Sequence, residues 1–479
     1  MGNWRERRST STPTITQIPV EKDESSDMDF DVNLHHLHRY FAGPWVKGKL
    51  TPVLGNEEMR IGATLNWLLC GNGTLIRGES GSDKTGIMNA IVALVYGDEG
   101  IDNTHEQLLV LGSSSDKALF TDAGVVRVDQ AQRCYIPELQ NVMNLEALLK
   151  LWLEGRNADD LRALAGGNKQ GNYHLKPLPI LTSLADANEI MPELSNEMKR
   201  RFLSFYTRSD QKLNEDVHRM KARNRMAPDE DLVTIASADF EGLRANFQSG
   251  MLDARRIIIP GAESTVSKVV PTKYTISNTF IDYWFDMVQG VTRFYRRERC
   301  HTNRYIFATP GDVYVAHLLV ADVVRDLAIG IPPLGREIFD FIPKGDVWGE
   351  LEADSRQNRK MRCHVDEVVD YLDQQGFPRS KVVIASAMER LVASGFVKQD
   401  ERKLYYRTKD MEAGAGGVDW ALLIEESNRV VKEKFPAVKG EYEEMSHKFL
   451  HPFTGETKDL VAKEAPPTKA ERKGGLSNV

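Results

Sequence analysis

The sequence predicts an α/β fold: a parallel sheet between helices, followed by a helical region and a small helix-and-hairpin domain. Three observations predict it. Strand-like and helix-like segments alternate from about residue 60 to residue 210, the pattern of a layered α/β architecture. Within that stretch a short apolar run enters a glycine-rich turn and leaves it through Lys-Thr into a helix. Farther on, residues 364–407 read as amphipathic helices closed by a charged hairpin.

Taken in order, residues 1–30 are polar and end in the acidic run 23–31, so this lead-in is expected to be disordered. It carries no apolar stretch of the kind that makes a secretory signal. Residues 31–70 read as helical, with Leu34, Leu37 and Tyr40 at helical spacing. Thr74-Leu75-Ile76-Arg77 is a strand candidate. A helix is expected over 145–154, with Leu148, Leu149, Leu151 and Trp152 on its core side. Residues 160–176 read as a hairpin whose Gly/Asn-rich tip carries Lys169, and the strand 178–183 follows at once. A polar helix (210–225) and a weakly patterned segment to residue 272 lead into a helical block over 276–342. There Thr309-Pro310 supplies an N-cap with proline at the first helical position. In the small domain the pattern predicts one helix over 364–372, a second from residue 380 and a third over 385–395 closed by Gly395. The hairpin 396–407 completes it. Residues 418–435 read as one amphipathic helix, and the remainder is Pro/Lys/Glu-rich and expected to be disordered.

Composition narrows the partners. The 479 residues carry 62 Lys+Arg against 69 Asp+Glu, a formal net charge of -7, so nucleic-acid binding would need local basic patches. Cys70, Cys134, Cys300 and Cys363 are scattered and form no CxxC pair, which argues against a zinc site or a disulfide framework and for a reducing cytoplasm. No apolar run approaches the roughly 20 residues that a membrane span needs, so no membrane partner is expected.

The turn Gly78-Glu79-Ser80-Gly81-Ser82-Asp83-Lys84-Thr85 is the sharpest motif. Strand, glycine-rich turn, Lys-Thr and helix form the Walker A arrangement, in which backbone N–H groups and a helix N-terminus cradle phosphates. Lys84 would reach the β/γ-phosphates of ATP, and the Thr85 hydroxyl would hold Mg²⁺. Asp83 stands where the pattern calls for glycine. Two like unit charges about 4 Å apart at an effective dielectric of about 20 repel by about 4 kcal/mol. A micromolar ligand has only about 8 kcal/mol in all. Binding therefore requires the Asp83 carboxylate to point away or to be neutralised.

A second strand must carry the carboxylates that hold Mg²⁺ and orient water. Two runs offer them. One ends in Asp129-Gln130 and the other, Cys134-Tyr135-Ile136-Pro137-Glu138, ends in Glu138; they follow Lys84 by 45 and 54 residues. Gln130 cannot act as a base, whereas Glu138 can. The reading therefore leans to Glu138 as the catalytic carboxylate, with Asp129 as the metal ligand.

This order of features resembles the AAA+ ATPases that insert a hairpin before the sensor-1 strand, among them the MCM helicases and the MoxR-type ATPases. The resemblance covers roughly residues 60–408. It implies an AAA+ core over 31–209, a helical lid over 210–345, a winged-helix domain over 360–408, and a C-terminal helix with a disordered tail over 409–479. It also implies a sensor group near Thr182, Ser183 or Asn188, and an arginine acting on a neighbouring subunit at Arg200 or Arg201. A second arginine is implied at Arg293 or Arg296, and a pore contact to DNA at Lys169. The winged helix would meet DNA through Arg390, Lys398, Arg402, Lys403 and Arg407. The oligonucleotide-binding domain and zinc module of the MCM family have no counterpart here, so the expectation is a shortened relative of the kind found in viruses, plasmids or integrated elements.

Two functions follow. One is an ATP-driven DNA helicase or translocase of replication, working as a hexameric ring with replication proteins. The other is a non-hydrolysing DNA-binding scaffold or regulator, favoured by Asp83 and Gln130. A MoxR-like chaperone would leave the winged helix unexplained.

Overall fold

The sheet comprises β1 (Gly73–Gly78), β2 (Leu108–Val110), β3 (Arg133–Ile136), β4 (Ile180–Ala185) and β5 (Phe202–Tyr206), all parallel, in the spatial order β2-β3-β4-β1-β5. The computed structural model describes residues 32–42, 53–78, 81–101, 105–112, 130–154, 177–185, 196–207, 211–226, 237–263, 277–329, 333–342, 362–374, 379–393, 395–408 and 418–460. All of them belong to the unit Val32–Val479.

Parallel strands are covered on both faces and read as continuous apolar runs. On one face Leu75, Cys134, Ile136, Ile180 and Leu184 pack with Leu139, Val142, Leu149 and Trp152. Each of these large apolar side chains contributes about 1.5–3 kcal/mol by leaving water. Tyr135 lies between Cys134 and Ile136 and so faces the other way, where its hydroxyl donates to Asn89 Oδ1 at 2.7 Å. Asn89 belongs to the helix Lys84–Ile101, which buries Ile87, Met88 and Ile91. A sheet between helices is thus observed. The strand expected to end in Asp129-Gln130 lies outside the described residues, apart from Gln130, as does the hairpin 160–176.

Helices Ser277–Phe294 and Pro310–Ile329 pack along each other and against Glu57–Leu65. The second begins at the proline, as its cap predicts. The Asp312 amide donates to Thr309 Oγ1 at 3.3 Å and the Thr309 amide to Asp312 Oδ2 at 2.9 Å, a reciprocal cap. Arg299 closes on the buried Asp312 with bonds of 2.7–3.1 Å. The weakly patterned segment contains a helix, Ser237–Leu252. Its apolar stripe is thin because polar side chains anchor it: Asn246 Nδ2 donates to the Phe294 carbonyl (3.0 Å) and Arg244 Nε to the Leu94 carbonyl (3.2 Å).

The small domain corrects the expectation in one respect. Residues 380–395 form one helix, Lys381–Ala393, not two. The third helix is Pro333–Phe341, assigned from sequence to the lid. Its Ile338 and Phe339 join Val368, Leu372, Ile384, Met388, Leu391 and Tyr405 in one cluster, and Phe341 stacks on Tyr371 at 4.3 Å. The long connection between these helices hides the association from local pattern. The hairpin Val397–Gln399/Tyr405–Arg407 is antiparallel, and Cys363 bridges to Tyr405.

The tail is also corrected. Beyond the helix Trp420–Lys434, residues 436–460 are ordered as a helix, Lys439–Met445, and a hairpin, Lys448–Leu450 with Thr457–Asp459. The few apolar residues of this polar stretch are the anchors. Tyr442 is buried and donates to the Ala308 carbonyl at 2.9 Å, while Phe449 packs on Tyr314 at 4.5 Å. His35 Nδ1 lies 2.8 Å from the Phe453 carbonyl, joining this segment to the helix Leu34–Ala42.

Candidate functional site

Ligands of open α/β sheets bind beyond the carboxyl ends of the strands, and β1 ends at Gly78. The next residues, Glu79 and Ser80, lie outside the described set. Gly78 has no room for a side chain: a Cβ there would stand 1.8 Å from Thr207 Oγ1. Thr207, at the end of β5, donates its hydroxyl to Ser82 Oγ (2.7 Å) and its amide to the Arg77 carbonyl (2.8 Å). This brace on the turn was not foreseen from the sequence. The parallel pairing of β1 with β5 (Arg77↔Tyr206) is what brings Thr207 there.

Gly81 has φ 85 and nothing within 4 Å of a built Cβ, so the turn is open at that point. Asp83 has φ 59, a left-handed conformation that glycine adopts without strain and aspartate tolerates. The backbone thus keeps the shape that the expected glycine would give it. The Asp83 carbonyl accepts the Ile87 amide at 3.0 Å, starting the helix. Its carboxylate folds along the first turn of that helix, against Gly86, where a Cβ would stand 2.4 Å from Oδ1. Although the residue is exposed as a whole, the carboxyl is crowded, and this desolvation raises its pKa, with Lys221 opposing. Lys84 is 9% exposed, and its Nζ donates to the Gly78 carbonyl at 2.9 Å and to Ser82 Oγ at 3.5 Å. Thr85 is exposed at the first helical turn.

Glu138 follows the end of β3 and is exposed; its Oε2 accepts from Gln140 Nε2 and Asn141 Nδ2, both at 3.2 Å. The pairing Ile136↔Thr182, with Arg77↔Leu184 on the other side of β4, puts it at the same end of the sheet as Gly78. Only β4 intervenes, so the two chain positions are about 10 Å apart at roughly 4.8 Å per strand. Ser183 donates to the Pro137 carbonyl at 2.6 Å, and the buried Thr182 hydroxyl has no partner among the described residues. Asn188 and Asp129 lie outside the described residues, and Gln130 is exposed.

Among the described residues of the turn, the side chains that could meet a phosphate chain are Ser82, Lys84 and Thr85. Gly81 leaves open space, Lys84 and Ser82 converge with Thr207, and the Thr85 hydroxyl is free of the core. Mg²⁺ would be held from Thr85.

Arg200 and Arg201 end the helix Asn196–Arg201 and lie at the opposite edge of the sheet, because β5 begins at Phe202 beside Gly73. Arg201 pairs with Glu154 and donates to the Glu197 carbonyl at 2.7 Å, whereas Arg200 is exposed. The two arginines expected in the lid are turned inward. Arg293 donates to the Leu69 carbonyl at 2.8 Å, and Arg296, 5% exposed, donates to Asn246 Oδ1 at 2.7 Å. Both serve packing between helices.

In the small domain Arg390, Lys398, Arg402 and Lys403 are exposed, the last with φ 60 at the hairpin turn. Arg407 departs from its expected place. Its guanidinium lies over Phe339 (4.8 Å to the centroid) and donates to the Ile342 carbonyl, so it holds the hairpin to the helix Pro333–Phe341. Lys169 lies outside the described residues.

No family model matches the chain, and no curated protein matches it. Among the described residues no helix is long and apolar enough to cross a membrane. Among solved structures the chain is similar to a full-length MCM homologue from Methanopyrus kandleri, at 11% identity and a TM-score of 0.37. The match covers 62% of this chain and 59% of the length of that structure.

Proposed function

We propose that this chain is an ATP-binding subunit of the AAA+ type that works on DNA as a ring of copies, in the manner of a helicase or translocase of replication. The observation that carries the reading is the turn after β1: Lys84 and Ser82 converge at the carboxyl edge of a parallel sheet, braced by Thr207. Bound ATP with Mg²⁺ would supply a phosphoanhydride whose cleavage drives motion. Lys84, whose Nζ donates to the Gly78 carbonyl here, would turn to phosphate oxygens when nucleotide binds. Thr85 and Asp129 would hold the metal, and Glu138 would orient water. The Asp83 carboxylate, laid against Gly86, is kept off the phosphate path. An arginine of the helix Asn196–Arg201 cannot reach its own turn. β1 spans five residue steps, about 17 Å at roughly 3.3 Å each, so such an arginine would act on a neighbouring copy.

DNA would be held by the small domain as a winged helix, through Arg390 on its helix and Lys398, Arg402 and Lys403 on its hairpin, with Lys169 in the ring pore. Phosphate contacts of this kind position without reading sequence.

The test is ATP turnover with and without single-stranded DNA, beside binding of a fluorescent ATP analogue. Turnover that rises with DNA and is lost in Lys84→Ala supports the motor. Nucleotide and DNA binding without turnover supports the second reading, a non-hydrolysing scaffold, which Gln130 and Asp83 favour. Failure to bind any nucleotide rejects both nucleotide readings.

A further inference from the structure

The strand Arg256–Ile258 pairs in parallel with the strand Tyr305–Phe307 and with no other described strand. The bonds at its ends fix which backbone groups are used. The Arg256 amide donates to the Arg304 carbonyl at 3.0 Å, and the Ala308 amide donates to the Ile258 carbonyl at 2.8 Å. Successive residues of a strand turn their backbone groups to opposite sides. Ile257, between those two residues, therefore turns its N–H and C=O to the open edge. Unpaired edge groups of this kind are a template for a further strand.

Along that edge runs a groove of about 530 Å³. One wall is the chain at 256–259, and the other is the part of the helix Ser277–Phe294 that carries Asp282, Phe285, Asp286 and Gln289. None of Tyr305, Ile306 and Phe307 lines it, so it lies beyond the open edge. The helix packs against both strands and thus stands over one face of the pair. A strand added at the edge would turn every second side chain toward that helix. The walls match in length. Three strand steps of about 3.3 Å and seven helix steps of about 1.5 Å each give about 10 Å, room for about four extended residues.

The lining is apolar at Ile257, Ile259 and Phe285 and acidic at Asp282 and Asp286. Its one cation, Arg256, is exposed at the start of the strand. Neither carboxylate has an ion pair among the described residues. Asp282 is exposed, whereas Asp286 is half-buried and accepts only from Asn72 Nδ2, at 2.9 Å. Burial holds the Asp286 carboxyl above its usual range, so an arriving cation would stabilise its charged form. The two carboxylates are four residues apart on the helix, about 5–6 Å between β-carbons. Alternate residues of a strand are about 6.6 Å apart, so two basic side chains at alternate positions meet both.

We propose that this groove docks an extended segment of a partner protein, with lysine or arginine at two alternate positions, as a third strand beside Arg256–Ile258. Main-chain bonds to Ile257 give hold, and Asp282 and Asp286 select the basic side chains. The aliphatic stems of those side chains lie on Phe285.

The test uses the full-length chain without nucleotide and a labelled, end-capped peptide, VKVKVT, read by fluorescence anisotropy. Saturable binding is expected, about tenfold or more tighter than that of VEVEVT, and weakening as salt rises. Asp282→Asn, at an exposed position that leaves the fold intact, is expected to lower affinity about threefold, the scale of one partly exposed pair. Two N-methylated peptides then test strand addition, one methylated at both lysines and one at the last two valines. Only one of these sets of amides can face Ile257, so one form is expected to keep binding and the other to lose about tenfold or more. The proposal is overturned if VKVKVT does not bind, or if VEVEVT binds as well. It is equally overturned if Asp282→Asn leaves affinity unchanged, or if both N-methylated forms bind alike, which would leave a charge contact without a third strand.

Discussion

The Asp83 carboxylate rests against the α-carbon of Gly86, so closely that a methyl group on Gly86 would stand 2.4 Å from Oδ1. The relationship explains how a negative residue occupies a turn shaped for phosphate. Asp83 keeps the left-handed backbone, and Gly86 leaves the hollow that receives its side chain. At the first turn of a helix the negative charge also meets the positive end of the helix dipole, an interaction of about 0.3–1 kcal/mol.

Gly86→Ala should therefore impair nucleotide binding although alanine favours helix by about 1 kcal/mol. The added methyl drives the carboxylate toward the phosphates. Asp83→Gly should tighten binding by about tenfold or more, equivalent to about 1.4 kcal/mol, and the double variant should behave like Asp83→Gly. Titration of a fluorescent ATP analogue against the four proteins checks this. Equal losses from Gly86→Ala in both backgrounds would contradict it.

Thr207→Val should loosen the turn without touching nucleotide directly. The hydroxyl is lost, and with it the bond to Ser82 at 2.7 Å, worth about 1 kcal/mol; its oxygen also lies 3.2 Å from the Arg77 carbonyl. Nucleotide affinity should fall by about tenfold, with the valine accommodated by its similar shape. Unchanged affinity would show that the turn holds its form without β5.

Stability should decline in mild acid. Burial, then Arg60 and His35, push the His38 pKa down to about 4 from 6.5. Above pH 6.5 the ring is neutral in both states and its contribution is intact. Between pH 6.5 and 4 the unfolded chain takes the proton while the folded chain does not. Stability falls there by up to about 3 kcal/mol. Urea unfolding at pH 7, 6 and 5 should show this slope, and His38→Leu should flatten it.

The hairpin cations should separate by role. Lys398→Ala, Arg402→Ala and Lys403→Gly together should lower DNA affinity and reduce the salt slope by about 2–3, near 0.9 per phosphate contact. Glycine at 403 also suits φ 60. Arg407→Ala should instead lower the melting temperature, because its guanidinium packs on Phe339 and the Ile342 carbonyl. Fluorescence anisotropy across a salt series, beside thermal melts, distinguishes them.

Tyr442→Phe should cost about 1 kcal/mol by removing the bond to the Ala308 carbonyl. Proteolysis of the segment 436–460 should quicken accordingly. An unaltered digestion rate would mean that the hydroxyl contributes nothing to docking.

What the sequence determined by itself is local. The strand before the turn, the Lys-Thr helix, the Thr309 cap and the charged hairpin each arise from neighbours a few residues apart, and each appears where the pattern puts it. The turn was legible for the same reason, down to the anomaly at Asp83. What tertiary structure decided is direction and company. Only packing shows that Asp83 lies back on Gly86, that Thr207 braces Ser82, that Arg201 is tied to Glu154 while Arg200 is not, and that Arg293, Arg296 and Arg407 face inward. The same holds for the helix Pro333–Phe341, which joins the small domain across a long connection, and for residues 436–460, whose order rests on a few aromatic anchors. Backbone form follows from short-range sterics and hydrogen bonding, whereas a long side chain's orientation depends on partners that the chain brings together only on folding.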